Sequence, residues 1–445
     1  MIFSDALRSL KDDPGRTFFY FLTFFLTTFL LFLFFNMGVS EQAVSEEFIM
    51  HGEANIFEFM ENGDIVNLMM AYVVIICCVD IIFANSFFIR NKAEELAVRL
   101  VCGATFTQLA FYLLIQTFLL LVIAIPLGIA AAAGTIPLVN SFLVSQLDSP
   151  FLITVSSEAV TNFTVIILMV VFWTTTLNLS FAYQNEAAAI LNGTGTSREK
   201  TGSIFGGLLA KIPDILKALL GIGVLVYMFI SIFRSPSGSA EYALIALLGV
   251  ELVLMFALIP LITKYIDGRG MKKPLGTIVF SFLREDLKAV KVNIYLFIGN
   301  AAVLAAMLVM RSDHILAVVM ILSTYIIMNF MQAMALMFRL ATHLSERSAE
   351  YNVLAQTGYE PEQQTSILRS EMCLFYLFTL FASCALIGCT LASMTAAGLI
   401  ASVYMIIMMA SMVLPLLLMW VLSTISYKRT AHIQDMIHSI EESRR

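Results

Sequence analysis

Long apolar runs alternate with short polar segments along the whole chain. Each run is about 20 residues long, which is the length of helix that crosses the hydrocarbon core of a bilayer. Lipid offers backbone N–H and C=O groups no partner, so we predict that every run is a membrane-spanning helix. The ten runs are Thr17–Met37, Ile65–Phe88, Leu109–Ala133, Val160–Leu179, Ala218–Phe233, Ala243–Ile262, Val292–Met310, Ile315–Phe338, Met372–Leu391 and Val403–Ile425.

The composition agrees with this pattern. Of 445 residues, 59% are hydrophobic and only 13% are charged, whereas soluble domains are about half apolar and a quarter charged. A soluble fold is therefore excluded, and the predicted fold class is an all-α polytopic membrane protein. The first run is longer than the apolar core of a signal peptide, so we expect it to remain as a helix.

The basic residues predict an orientation. Cationic loops resist translocation and stay on the cytoplasmic side. With the N-terminus inside, 24 of the 26 Lys and Arg residues fall in inner segments, and only Arg234 and Arg311 fall outside. We therefore expect both termini to be cytoplasmic.

The segments between the runs differ on the two sides. The predicted outer loops are short, and the one at residues 38–64 carries seven acidic residues and no Lys or Arg. A cationic ligand could be attracted there, although the sorting of positive charge to the inside alone leaves acids outside. On the inner side, a linker follows the fourth run, and residues 204–220 are predicted as an amphipathic interfacial helix leading into the fifth span.

Two inner segments repeat a pattern. Residues 90–106 and 339–362 each read as a charged amphipathic helix, a glycine break, and a second helix that enters the membrane. Gly is expected at such a break because it adopts the left-handed conformation at little cost. At an offset of 255 residues, the matches are Glu95 with Glu350, Gly103 with Gly358, Gln108 with Gln363, and Gln116 with Glu371.

This repeat predicts the organisation of the chain. We expect a four-span repeat over residues 1–190, a linker with an interfacial helix and a middle pair of spans over 191–275, and a second four-span repeat with a cytoplasmic tail over 276–445.

The first charged segment resembles the cytoplasmic loop of FtsX-like, or MacB-type, permeases of ABC transporters. That loop commonly reads as an Arg, a Glu, a further basic or Leu residue, a Gly-Ala-Ser-like break and a polar residue entering the next span. Arg90, Glu95, Arg99, Gly103 and Gln108 fit this pattern. In the second copy Leu354 replaces the basic residue, and Gly358 begins a Gly-Tyr-Glu triplet instead of a small one.

Ten spans in two repeats resemble the BceB-like branch of this family. Members of that branch usually hold a large outer domain between the seventh and eighth spans, but here that segment is only residues 311–314. Peptide sensing through such a domain is therefore not expected.

The resemblance implies a non-catalytic permease subunit in the bacterial cell membrane. Its two loops would contact two cytoplasmic ABC ATPase subunits, which bind the ATP and Mg, while this chain binds no cofactor. The implied substrates are amphipathic, either peptides or lipid-like antimicrobial compounds, and nucleic acid is not expected as a partner. The coupling-loop residues carried over are Arg90, Glu94, Glu95, Arg99, Gly103, Arg347, Glu350, Leu354 and Gly358.

The residues themselves also indicate no catalytic site. None of the five histidines lies near a Ser or Cys nucleophile with an acid, and no metalloprotease or nucleophile-elbow motif occurs. Charges within spans are costly and thus functional candidates, which singles out Asp80 and Glu251 as a possible intramembrane polar site. Each could equally be a protonated or paired carboxylate facing other helices, and no basic residue is evident at the same depth.

Two other functions remain open. The chain could be an FtsX-type signal transducer that controls an extracytoplasmic partner, or an ion-coupled secondary transporter that uses Asp80 or Glu251.

Overall fold

Helices form nearly all of the described part of the chain. The computed structural model describes Arg8 and residues 14–50, 56–147, 152–184, 213–269, 274–310 and 315–442. Within these ranges there is no strand. The helices are α1 (Pro14–Met50), α2 (Ile56–Val101), α3 (Phe106–Leu147), α4 (Ser157–Gln184), α5 (Asp214–Arg234), α6 (Ser239–Val253), α7 (Ile259–Arg269), α8 (Pro274–Met310), α9 (Ile315–Glu346), α10 (Ser348–Gln356), α11 (Pro361–Ala396) and α12 (Ser402–Glu442).

The ten predicted spans are confirmed. Ten helical stretches in the described ranges are long and apolar enough to cross a membrane. The sixth consists of α6 and α7 joined by a π-helical turn at Leu254–Leu258. Pro260 follows this turn, and its missing N–H and ring clash disturb the ordinary α-helical hydrogen bonds one turn earlier.

Several helices extend beyond the predicted runs. The acidic segment 38–64 was predicted as a loop, but α1 continues to Met50 and α2 begins at Ile56. Likewise α8 begins at Pro274, so Arg284, Lys288 and Lys291 belong to the same long helix as the seventh apolar run. The predicted interfacial helix lies outside the described residues up to 212, and its remainder from Asp214 is the start of α5.

The chain divides into two compact units. The first comprises residues 1–200 with 311–327, and the second comprises residues 201–310 with 328–445. These units are defined by contacts, whereas the predicted boundaries at 190 and 275 delimit sequence repeats, and those boundaries stay predictions.

In the first unit, α1 packs against α2, α3 and α4. The hydroxyl of Tyr20 donates a hydrogen bond to Asn85 at 2.7 Å, and its ring stacks on Phe88 with centroids 4.3 Å apart. Helix α3 approaches α1 closely at Gly128, where a Cβ atom would come within 2.8 Å of Thr28 Cβ. Small and aromatic residues thus hold this bundle together.

In the second unit, α11 packs against α8 and α12, and α6 packs against α5 and α8. The α5–α6 contact is close because Gly221 faces Leu252 and Gly249 faces Leu225. The N-terminal part of α8 meets α11 through Val279, Phe282 and Ile367, and this cluster supports the second repeated segment.

Candidate coupling loops

The two repeated segments, called here the first loop (residues 90–106) and the second loop (residues 339–362), share the same helix ending. Gly103 and Gly358 have φ angles of 95° and 93°. Just after them, the Ala104 N–H donates to the Arg99 carbonyl at 3.0 Å and the Tyr359 N–H donates to the Leu354 carbonyl at 3.1 Å. This is the Schellman ending expected of a glycine break, and it recurs at the predicted offset of 255 residues.

The start of the following helix also recurs. The Gln108 side chain accepts a hydrogen bond from the Thr105 N–H at 3.1 Å, and the Gln363 side chain accepts one from the Glu360 N–H at 3.3 Å. Both are capping-box contacts, which satisfy backbone N–H groups that a helix start leaves without partners. The predicted glycine break is therefore confirmed in both loops, together with a matching cap.

The charged part of the first loop is not a separate helix. It is the last part of α2, which ends at Val101. Glu95 accepts hydrogen bonds from Lys92 at 3.3 Å, from Arg99 at 3.1 Å and from the hydroxyl of Tyr112 on α3. The Arg99 guanidinium also lies over the Tyr112 ring, 4.1 Å from its centroid.

These contacts change the interpretation of the predicted charges. Glu95 and Arg99 were predicted as ATPase-coupling residues, which stays a prediction, and their described contacts hold the end of α2 against α3. Arg90 and Glu94 lie in α2, and their side chains are outside the described set. Below the ion pairs, an apolar cluster of Leu96, Leu109, Tyr112 and Leu113 is buried.

The second loop is centred on a buried arginine. Arg347 lies at the junction of α9 and α10 with 4% of its side chain exposed, and it donates to Glu371 on α11 at 2.9 Å and to Asp286 on α8. Its guanidinium also lies 4.7 Å from the centroid of the Phe282 ring. Burial alone would lower the pKa of Arg347, but the adjacent Asp286 and Glu371 carboxylates outweigh it, so the pKa is raised and the arginine stays charged.

Two further side chains complete this cluster. His343 Nδ1 lies 3.0 Å from Asp286 Oδ1, and the Tyr351 hydroxyl donates to Glu371 at 3.1 Å. Leu354 packs against the apolar cluster beneath, whereas Glu350 is exposed. Of the second-loop residues predicted from sequence, Arg347 is therefore buried and Leu354 is partly buried.

The exposed apolar residues of the two loops were missed by sequence reasoning. Val98 and Val353 are 59% and 56% exposed, and they are again 255 residues apart. Val101, at the end of α2, is 69% exposed. The valine recurs at this offset in the sequence, but hydrophobicity alone does not tell an exposed valine from a buried one.

The two intramembrane carboxylates have different surroundings. Glu251 pairs with Lys291 on α8 at 3.2 Å, a partner that the sequence prediction placed in a loop rather than beside the sixth span. Asp80 is 1% exposed, and within the described part of the chain neither of its carboxyl oxygens has a hydrogen-bond partner. Asp80 belongs to the first unit and Glu251 to the second, and a functional role for either carboxylate stays a prediction.

Comparison with protein families identifies part of the chain. Residues 67–185, which include α2 from its membrane-spanning part, the first loop, α3 and α4, match the model of the FtsX-like permease C-terminal domain. This part of the chain is similar to an FtsX-like permease domain. None of the curated proteins matches the chain.

Permeases of the FtsX-like family are generally non-catalytic membrane components of ABC transporters. The ten apolar helical stretches in the described ranges make this chain a multi-pass membrane protein. The matched region contains the first loop, and the second loop has the same glycine ending and glutamine cap outside that region.

Proposed function

We propose that this protein is the permease subunit of an ABC transporter and that both loops contact cytoplasmic ATPase subunits. The observation that carries the proposal is the recurrence of one loop geometry in two places, at Gly103 and Gly358, with the first copy inside the FtsX-like domain. Two equivalent loops suit two ATPase subunits. Both loops and both termini would then lie on the cytoplasmic side of a bacterial cell membrane, as the distribution of basic residues predicts.

The contact surface we assign to the ATPase is apolar at its centre. Val98 and Val353 hold equivalent positions beside the two glycine breaks, and both are more than half exposed outside the membrane-spanning segments. An exposed apolar residue beside a helix end suits a groove in a soluble partner. Three of the charged residues named from the sequence, Glu95, Arg99 and Arg347, make contacts within their own loop, and the exposed Glu350 stays a predicted ATPase contact.

The interior of each loop provides a route for movement. Glu95 and Tyr112 join α2 to α3, and Arg347 joins the α9–α10 junction to α11. Displacement of a loop by an ATPase would therefore move the attached spans, since these contacts lie at the inner ends of membrane helices. ATP and Mg would be bound by the ATPase subunits, and this chain would bind no cofactor.

The substrate class we propose is amphipathic, either a peptide or a lipid-like antimicrobial compound, which the transporter would export or extract from the bilayer. The resemblance to the bacitracin-exporting branch suggests this class, and the short predicted outer loops favour access from within the bilayer. A transducer that controls an outer hydrolase would instead be supported by capture of such a hydrolase through residues 38–64. Transport that survives ATP depletion but stops when the proton gradient collapses would select an ion-coupled transporter.

The proposal is tested by introducing a charge into the proposed contact surface. In Val98→Asp, Val353→Asp and the double variant, an aspartate would be buried without a partner in the ATPase groove. We expect each single variant to weaken association with the ABC ATPase encoded beside it by roughly tenfold, because about 1.4 kcal/mol corresponds to a factor of ten. The double variant should lose association altogether.

Val155→Asp is the matched control. Val155 is 55% exposed and lies just before α4, on the predicted outer side. The Val155→Asp variant should leave association with the ATPase unchanged. Failure of the wild-type chain to bind any such ATPase, or full binding by the double variant, would overturn the proposal.

A further inference from the structure

The charge cluster beneath the second loop joins three parts of the fold. Arg347 at the α9–α10 junction bonds to Asp286 on α8 and to Glu371 on α11. Both carboxylate side chains are no more than 1% exposed. A movement of the second loop away from either helix would therefore separate a buried ion pair.

The first loop has different residues at the matching positions. At the offset of 255 residues, the counterparts of His343, Arg347 and Glu371 are Phe88, Lys92 and Gln116. Where Asp286 meets His343 in the second unit, Tyr20 stacks on Phe88 in the first. The side-chain amide of Gln116 is buried and has no hydrogen-bond partner within the described residues.

The ion pairs of the first loop are also nearer to water. Lys92, the counterpart of Arg347, is 6% exposed, but its partner Glu95 is 31% exposed, as is Arg99. In the second loop Arg347 is 4% exposed and both of its carboxylate partners are no more than 1% exposed. Water screens exposed pairs, so they contribute little and re-form easily. Separation of a buried pair leaves uncompensated charges in a medium of low dielectric constant, which is strongly unfavourable. A shift of the Tyr20–Phe88 stack would break the hydrogen bond from Tyr20 to Asn85, which costs less than the separation of a buried ion pair.

We infer that Arg347 is a positioning residue which fixes the second loop to α8 and α11, so that the two ATPase contacts are unequal. The second loop acts as the rigid contact that transmits movement to the spans. The first loop acts as the more compliant contact, which retains the ATPase. This inequality rests on the proposed function, but the rigidity of the loops is a property of the chain alone.

Exchanging residues between the copies tests this rigidity. Hydrogen exchange would be measured on the full chain in lipid nanodiscs without any ATPase, on peptides covering each glycine break. Because amide exchange reports local opening, we expect the amides of the second loop to exchange at least about tenfold more slowly than those of the first. In the double variant R347K/E371Q, which installs the residues of the first copy, this difference should largely disappear.

Controls separate a loss of the ion pairs from a loss of the fold. Glu362→Gln removes an exposed carboxylate from the same helix as Glu371 and should leave exchange unchanged. If R347K/E371Q does not fold, Asp286→Asn is the second variant, since it keeps both Arg347 and Glu371 and should raise exchange in the second loop alone. Equal exchange of the two loops in the wild type would overturn the inference, as would an unchanged second loop in a folded variant.

A second measurement distinguishes this inference from the proposed function. With the ATPase bound, R347K/E371Q should retain association, yet lose most of the stimulation of ATP hydrolysis by substrate or lipid. The reciprocal variant K92R/Q116E should leave stimulation nearly unchanged, because Tyr20 and Phe88 replace the partners that the new charges need. If the wild type binds no ATPase while its loops still differ in exchange, the proposed function fails and the difference in rigidity stands. If R347K/E371Q stimulates normally, the inequality of the two contacts fails.

Discussion

Carboxylates within the spans of this protein are accommodated in two ways. Glu251 is paired with Lys291 at 3.2 Å, so its charge is compensated by a neighbouring helix. Asp80 lies in the interior of the first unit with no hydrogen-bond partner for either oxygen among the described residues. An ionisable group kept without a partner in a membrane helix is costly, and such groups are usually functional.

Replacing Asp80 should therefore raise stability. In Asp80→Val the unpartnered polar group is removed, and we expect the free energy of unfolding to rise by about 1–3 kcal/mol, which is the typical cost of burying such a group. Thermal unfolding of the detergent-solubilised chain would measure this, with Asp80→Asn as the control that keeps a polar group of the same shape. A lower melting temperature for the valine variant would show that the carboxyl has a stabilising partner. Loss of transport in a variant of higher stability would identify Asp80 as a functional group.

The role of a residue could be predicted from the sequence where that role depends on local chain geometry. Gly103 and Gly358 were predicted as helix breaks because only glycine adopts positive φ cheaply, and both do so. Lys291 and Asp286 could not be assigned in this way. Their partners, Glu251 and Arg347, are distant in sequence and meet them only when helices pack side by side.

At the scale of the elements, the helices are longer than the apolar runs that predicted them. Hydrophobicity marks the part of a helix that lies in lipid, and carries no signal for its continuation into water. Helix α2 therefore continues through the charged residues to Val101, and α8 begins at Pro274, well before its apolar run. Helix α2 ends through local chemistry, at the glycine break of the first loop, as α10 does at that of the second.

The two glycine breaks provide a test at this scale. Gly103→Ala and Gly358→Ala should each lower the free energy of unfolding by roughly 1–2 kcal/mol, because an L-residue is strained in the left-handed region. At neither position would the added methyl group meet another atom within 4 Å, so any loss comes from the backbone. Gly223→Ala is the control, since this helical glycine in α5 also has open space around it and alanine favours a helix. Melting temperatures that fall equally in all three variants would contradict this interpretation.

At the scale of the whole molecule, two units of helices each carry one loop of the same construction. The first lies in the FtsX-like domain at residues 67–185, and the second recurs outside the matched region. The repeat was predictable because its glycine and glutamine positions recur at one offset. The difference between the two copies could not be predicted, because it depends on contacts of Asp286 with His343 and Arg347 that form only in the packed structure.

The central claim is that both loops contact an ATPase, and site-specific crosslinking tests it most directly. A photoreactive residue would be placed at Val98, at Val353, or at Val155 as the control, and the transporter would be illuminated in membranes that contain the ATPase. We predict that positions 98 and 353 each crosslink to the ATPase and that position 155 does not. Crosslinking at neither loop would contradict the account, and crosslinking at only one would exclude the arrangement of two contacts.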